Sequence, residues 1–266
     1  MLANYHTHSV FCDGQNTLEE IVKSAIARGF DAIGFSSHGY TPYDERYCMK
    51  DTAGYIREAR ALQAAYRDKI EICLGVEEDA FAPVDRSSFD YIIGSSHYLR
   101  AGGDYLAIDS SREHFERCLD AFGGDVLRLA ESYYSAFCTY IHTRRPDVIG
   151  HFDLITKYDE LQDSLFLENA AYRALAERYV SLAADAECIF EINTGAIARG
   201  LRRTPYPSEN LLYVLRKKGA RILLSSDSHA KDTLDFAFDE TKARLREIGF
   251  LEITTLKAGK FVNIPL

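Results

Sequence analysis

A chain of 266 residues, 47% hydrophobic and 27% charged, is long enough for one large α/β domain or two small ones and has the balance of an ordinary soluble globular protein. Its formal net charge of −9 excludes a nucleic-acid scaffold, which needs a basic face to displace counterions. No apolar run is long enough to span a bilayer, and the N-terminus lacks the basic-then-apolar layout of a signal peptide, so the expectation is a cytoplasmic protein without a membrane partner.

The first predicted strand is Ala3 to His8, closing on the pair His6 and His8. Residues i and i+2 of a strand share a face, so both imidazoles would project together. Thr17 then caps a helix from Leu18 to about Arg28, with Glu20 in the capping-box position. Ala32 to Ser37 reads as a second strand ending at His38, followed by a long loop over residues 39–51 with Tyr40, Tyr43 and Tyr47. A helix from about Thr52 to Arg67 leads to a third strand, Glu71 to Val76, which ends in Glu77, Glu78 and Asp79. The fourth strand, Phe89 to Gly94, runs into His97, and residues 98–111 read as a loop around Gly102 and Gly103.

Helices are predicted at about 112–122 and 125–144. Asp147 to Gly150 is a fifth strand ending in His151 and Asp153, and a long helix covers about Leu167 to Ala184. Cys188 to Asn193 is a sixth strand carrying Glu191. A loop from Thr194 to Pro207 contains Arg199, Arg202 and Arg203, and Ser208 caps a helix to about Lys218. Arg221 to Ser226 is a seventh strand ending in Asp227 and His229. A helix at about 233–248 and a tail of mixed strand character complete the chain. The six cysteines are scattered without a CxxC pair and read as reduced, mostly buried thiols.

Strand alternates with helix throughout, with no linker and no low-complexity segment, which predicts an α/β fold as a single closed barrel over residues 1–266. The alternative is an open doubly wound sheet. No glycine-rich nucleotide-binding loop follows the first strand.

Each predicted strand ends in a metal-capable side chain, and six of the eight histidines fall at these ends. His114 and His142 lie in helical stretches and read as ordinary residues. In a βα barrel the C-terminal strand ends converge on one face, where the active site lies. Any one of these residues alone has a bland use as a hydrogen-bonded rim residue, an ion-pair partner or a helix cap. Together they point to a site for Zn, Mn or Fe, and the lack of a cysteine cluster argues against a structural zinc.

The runs His6-Thr7-His8-Ser9 with Cys12-Asp13-Gly14, Ser37-His38-Gly39, Gly75-Val76-Glu77, Gly94-Ser95-Ser96-His97, Gly150-His151-Phe152-Asp153 and Ser226-Asp227-Ser228-His229 resemble the PHP (polymerase and histidinol phosphatase) family. The resemblance implies a distorted (β/α)7 barrel with a cluster of three divalent metal ions. Carried over, His6, His8, Glu77 and Asp227 would hold one metal, with Glu77 bridging to a second held by His97 and His151. His38 and His229 would hold the third, and Asp13 stands where many members supply another histidine. Glu191 to Gly195, Arg199-Gly200 and Pro205 to Ser208 look like the histidinol-phosphatase branch.

The implied reaction is hydrolysis of L-histidinol phosphate, a small-molecule substrate, to L-histidinol and phosphate, within histidine biosynthesis. A water bridging two metals would serve as nucleophile. His229, Asp13, His38 or a metal-bound water are the candidates for protonating the leaving group. Arg199, then Arg202, then Lys157 are candidate phosphate contacts, because guanidinium matches phosphate bidentately. Glu78, Asp79 or Asp153 would neutralise the substrate ammonium, or else support a metal-ligating histidine. Two alternatives are a phosphoesterase of the same fold acting on a nucleotide or other small phosphomonoester, and a catalytically silent metal-binding module. Nothing in the sequence points to a protein partner.

Overall fold

The computed structural model describes residues 1–161 and 164–266. Its strands are, in chain order, β1 (Ala3–Asn4), β2 (Ala32–Phe35), β3 (Glu71–Asp79), β4 (Tyr91–Ser95), β5 (Tyr98–Ala101), β6 (Asp104–Ala107), β7 (Val148–Ile149), β8 (Ile189–Asn193), β9 (Ile222–Ser225), β10 (Glu252–Lys257) and β11 (Lys260–Pro265). The helices are α1 (Leu18–Ala27), α2 (Thr52–Tyr66), α3 (Arg112–Ala121), α4 (Val126–Arg144), α5 (Ala170–Ala184), α6 (Gly195–Ala198), α7 (Glu209–Lys218) and α8 (Phe238–Ile248).

Seven strands pair in parallel in the order β1-β2-β3-β4-β7-β8-β9. The two edges then approach each other. His8 N donates to Ser228 O at 2.8 Å and Ser228 N to His6 O at 3.1 Å, so the sheet is a nearly closed seven-stranded barrel rather than an open one. These bonds lie just beyond β1 and β9, which places the ends of the first and last barrel strands side by side. That seam positions much of the site described below.

The barrel interior takes buried side chains from every strand or its immediate flank: Tyr5, Ala32, Cys73, Tyr91, Val148, Ile189 and Leu223. Tyr91 reaches across this layer, and its hydroxyl donates to Tyr5 O at 2.5 Å. Gly34 and Gly75 make room for it, since a Cβ at either position would stand 2.3 Å from the Tyr91 side chain. The β10–β11 hairpin closes the lower end, where the Tyr5 hydroxyl donates to Leu256 O at 2.9 Å and Leu256 adds its side chain to the same interior cluster. Outside the barrel, α1 and α2 pack on β2 and β3 through Ile21, Val22, Ile33, Tyr55 and Leu74. Helices α4, α5 and α7 cover the opposite side through a second cluster that includes Tyr133, Tyr134, Phe137, Tyr172 and Leu215.

Several predicted boundaries move for physical reasons. The Thr17–Glu20 capping box forms reciprocally. Residues 98–111 are not simply a loop: β5 and β6 form a hairpin that turns at Gly102 and Gly103, both at positive φ. Asn169 caps α5 through its side chain, so that helix starts at Ala170 rather than Leu167. A short helix, α6, lies within the predicted loop before Pro207. Ser208 begins α7, but its hydroxyl donates to Asp153 instead of capping the helix. Ala237 is in the left-handed conformation, so α8 begins at Phe238 rather than near residue 233. All six cysteines are free thiols, and five are buried. Among the described residues, no helix is long and apolar enough to cross a membrane.

Candidate metal centre

Glu77, near the end of β3, is the hub of the upper face. Its Oε2 lies 3.3 Å from His6 Nε2, 3.5 Å from His8 Nε2 and 2.9 Å from His38 Nδ1. Its Oε1 lies 3.4 Å from His97 Nε2 and 2.9 Å from His151 Nε2. Five imidazoles from four different strand ends thus converge on one buried carboxylate. Asp227 adds an oxygen 3.1 Å from His8 Nε2 and 3.6 Å from His6 Nε2. Asp13 comes from the loop after the first strand, at 3.4 Å from His229 Nε2, 3.7 Å from His38 Nε2 and 3.8 Å from His8 Nδ1. Three overlapping groups could each hold a cation with atoms within 4.8 Å of one another: His8, Asp13, His38 and His229; His6, His8 and Glu77; and His38, Glu77 and His97.

The electrostatics fit cations. Burial raises the Glu77 carboxyl pKa, yet the imidazoles of His6, His38 and His97 hold it well below the usual range. Burial lowers His6, but Glu191, Glu77 and Asp227 drive it well above its ordinary value. His8 goes the other way, pushed down to about 3 by burial and by its neighbours His229 and His38. Without metal, the carboxylate field keeps protons on some of these histidines; divalent ions would compete for the same sites. His6 Nε2, His8 Nε2 and Glu77 Oε2 are buried and have no hydrogen-bond partner among the described residues. An orphaned buried acceptor is costly, and a coordinated cation would satisfy it.

Supporting groups fix the ring orientations. Glu191 Oε1 lies 2.5 Å from His6 Nδ1, so with Nδ1 donating, Nε2 faces the centre. The other Glu191 oxygen accepts from His151 N at 2.7 Å and from Asn193 Nδ2 at 3.0 Å. Asp79 accepts from His97 N at 3.0 Å and stands 3.3 Å from His97 Nδ1. Asp227 adopts φ 46°, a left-handed conformation uncommon for a non-glycine residue. Arg199 donates to Asp227 O at 3.0 Å and to Asp227 Oδ2 at 3.1 Å. Gly195 admits this approach, because a Cβ there would stand 3.0 Å from both Arg199 Nη2 and Asp227 Cβ.

Above the cluster is a cavity of about 460 Å³. Asp13, His38, Glu77, His97, His151, Asp227 and His229 reach it from the metal side, and Arg199 and Lys157 from the wall. Asp44, Arg46, Tyr47, Tyr98, Ala107, Asp109, Ser110 and Leu154 complete the lining. His114 and His142 are elsewhere, with His114 beside Ser111 and His142 beside the Leu182 carbonyl.

Three expected substrate contacts do not line this cavity. Arg202 is 2% exposed and donates to Thr156, Glu160, Thr204 and Ser208. Glu78 follows Glu77 in the strand and so faces the other side of the sheet, where it accepts from Tyr140 at 2.7 Å and Arg144 at 2.7 Å. Asp153 is buried, with Ser208 N donating to it at 2.9 Å. Sequence reasoning missed Asp44, Tyr98 and Asp109 as cavity residues. They occur in a loop and an irregular hairpin, where no periodicity marks the side that faces the site.

Comparison with known families matches residues 4–195 to the PHP domain. A protein of Schizosaccharomyces pombe named probable histidinol-phosphatase is 29% identical over 96% of this chain and 89% of its own. The histidinol-phosphatase of Bacillus subtilis is 24% identical over 88% and 96%. Among solved structures, the histidinol phosphate phosphatase of Lactococcus lactis, in complex with zinc, L-histidinol and phosphate, superposes with a TM-score of 0.74 at 23% identity, covering 98% of each chain. That superposition shows a shared fold over nearly the whole of both chains.

Proposed function

The chain belongs to the PHP domain family, and from that premise we propose that it hydrolyses L-histidinol phosphate to L-histidinol and phosphate, with divalent metal ions bound at the strand ends. The reading is carried by the Glu77 carboxylate, which lies within 3.5 Å of nitrogens of five imidazoles from four strand ends. Support for the substrate comes from curated relatives named for this reaction in Schizosaccharomyces pombe and Bacillus subtilis. Zinc in the Lactococcus lactis structure makes zinc the first of the expected metals to test.

We assign the cations to His6, His8, Asp13, His38, Glu77, His97, His151, Asp227 and His229. Three overlapping donor groups support three ions. When bound, the ions would supply Lewis acidity, activating water and neutralising charge on the phosphoryl group. The protein's own groups do the rest. Arg199, fixed against Asp227, offers its guanidinium to the phosphate, with Lys157, which lines the same cavity, as a second cation. Burial raises the Asp13 carboxyl pKa, but His38 and His229 outweigh it and hold the group ionised well below the usual range. Asp13 is therefore a weak base, better suited to a cation than to a proton, and delivery of a proton to the leaving alkoxide falls to His229, whose side chain is 25% exposed and lines the cavity. His38 is buried against Glu77 and is the weaker donor candidate.

The test is turnover of L-histidinol phosphate by purified protein before and after chelation, with metal analysis of the same sample. Turnover that is lost on chelation and restored by zinc agrees with the proposal. Negligible turnover of histidinol phosphate beside rapid turnover of a nucleoside monophosphate would overturn the substrate assignment. No activity of the metal-loaded protein on any phosphomonoester would leave a silent metal-binding module.

A further inference from the structure

The loop between β2 and α2 reaches the metal centre by a second route, outside the cavity. Tyr43 is not among the residues that line the cavity. Its ring stacks on Tyr105 of β6, with centroids 3.9 Å apart at an interplanar angle of 10°, and meets Tyr98 of β5 edge-on at 4.9 Å. Its hydroxyl donates to Asp79 Oδ1 at 2.5 Å. Asp79 Oδ1 also accepts from Phe81 N at 2.9 Å. The other oxygen, Oδ2, accepts from His97 N at 3.0 Å and stands 3.3 Å from His97 Nδ1. With Nδ1 donating, the His97 ring presents Nε2 to Glu77, 3.4 Å from Oε1. Asp79 is 4% exposed, and among the described residues its ion-pair partner is His97 rather than a lysine or arginine.

A buried carboxylate with no lysine or arginine beside it is held in place by its hydrogen bonds. Phe81 and His97 supply backbone donors from the turn after β3 and from the end of β4. Tyr43 supplies a side-chain hydroxyl from a different segment, and a phenol donating to a carboxylate at this distance makes a charge-assisted bond, one of the strong ones. We propose that the Tyr43 hydroxyl is a positioning group for the metal centre, holding Asp79 so that His97 keeps Nε2 turned to a cation. The proposal rests on the reading of the strand ends as a metal site and extends it to a residue of the loop. Asp44, Arg46 and Tyr47 of the same loop line the cavity, so the loop has two separable duties. Tyr43→Phe separates them, because it keeps the ring stack on Tyr105 and removes only the hydroxyl. Linkage makes the effect reciprocal: a tether that raises affinity for the cation is tightened by that cation to the same degree.

The test compares Tyr43→Phe with the unaltered protein. Zinc affinity is read by competition with a chromophoric chelator, starting from metal-free protein, and KM for L-histidinol phosphate is read at saturating zinc. The expected result is an about tenfold weaker hold on the ion that His97 helps to bind. At saturating zinc KM stays within about twofold, because the ring stack and the cavity wall remain. Equal zinc affinity in the two proteins overturns the proposal, whether or not turnover falls, since a loss of turnover alone is the mark of a purely structural role. Asp79→Asn is expected to lose at least as much affinity, and adding Tyr43→Phe to it to cost no more than about a further twofold. Full additivity overturns the route through Asp79. A second measurement needs no variant. Backbone hydrogen exchange in residues 42–46 of the unaltered protein is expected to slow by about tenfold when zinc binds. Exchange that ignores zinc overturns the proposal even if the variants fail to fold. Failure of the parent reading looks different, because the unaltered protein would then bind no zinc at the cluster. If the substrate is another phosphomonoester, chelator competition still judges Tyr43, since it needs no turnover.

Discussion

Glu191 Oε1 stands 2.5 Å from His6 Nδ1, and both side chains are sealed from solvent. Burial raises the Glu191 carboxyl, but the His6 charge outweighs it and holds the group below its ordinary range. The same residue anchors His151 through its backbone N–H. One carboxylate outside the proposed ligand set therefore orients two members of it. Glu191→Gln keeps the shape and removes the charge, so the expected result is an about 10- to 100-fold loss of metal affinity or turnover with the fold intact. Metal titration and circular dichroism check this. Wild-type affinity and rate would show that the carboxylate does not matter for the site.

Asp227→Asn and His8→Ala each remove a proposed ligand at the seam. Turnover is expected to fall by more than about a hundredfold in each, with secondary structure unchanged. Near-normal activity in either variant would overturn the ligand assignment.

Chelation should lower the unfolding temperature as well as the activity. A cation that binds only the folded chain stabilises it by about 2.7 kcal/mol at one hundred times its dissociation constant. The orphaned nitrogens of His6 and His8 are the atoms this binding would satisfy. Calorimetry with and without zinc checks the shift, and an unchanged midpoint under both conditions would count against cation binding here.

Acid should loosen the loop pinned by Glu160. Burial raises this carboxyl, but Arg202 and the donors from Thr204 and Arg203 outweigh it, so the folded pKa is below the ordinary one. A depressed carboxyl contributes stability that is fully present above its unfolded pKa, about 4.3. That stability is lost as pH falls through the lower folded value. Glu160→Gln should therefore cost stability at pH 7 and flatten the dependence of the unfolding midpoint on pH below about 4.3. Parallel curves for the two proteins would contradict this.

Gly34→Ala should destabilise by about 1–3 kcal/mol through overpacking. The intruding methyl would meet the Tyr91 hydroxyl at 2.3 Å. Tyr91→Phe removes that oxygen, so the double variant should be more stable than the sum of the single losses predicts. Denaturant unfolding of all four proteins measures the coupling, and strict additivity would rule it out.

The barrel was legible because each strand carries a compact apolar run and each run ends in a chemistry-bearing residue. His6 and His8 share a face by simple pleat alternation, and the same rule would have sent Glu78 away from Glu77 had it been applied there. The β5–β6 hairpin was obscured because Tyr98, Arg100, Asp104 and Tyr105 blur its alternation, although Gly102-Gly103 is a two-residue turn signal. The sequence placed Arg199 ahead of Arg202 as a phosphate contact but gave both to the same cavity. Two residues separate them, and only the packing of the loop determines that one faces the cavity while the other is buried against Glu160. Asp44 and Asp109 needed the tertiary fold, since each is brought to the cavity by a segment without a repeating pattern.

The seam where His8 meets Ser228 also has a bearing on synthesis. His6 and His8 leave the ribosome more than two hundred residues before Asp227 and His229. A chain still being made has the opening half of the cluster and no means of completing it. Any ion held between the two would have to wait for the final barrel strand, and a product truncated before that strand would have histidines without the aspartate that seats beside them.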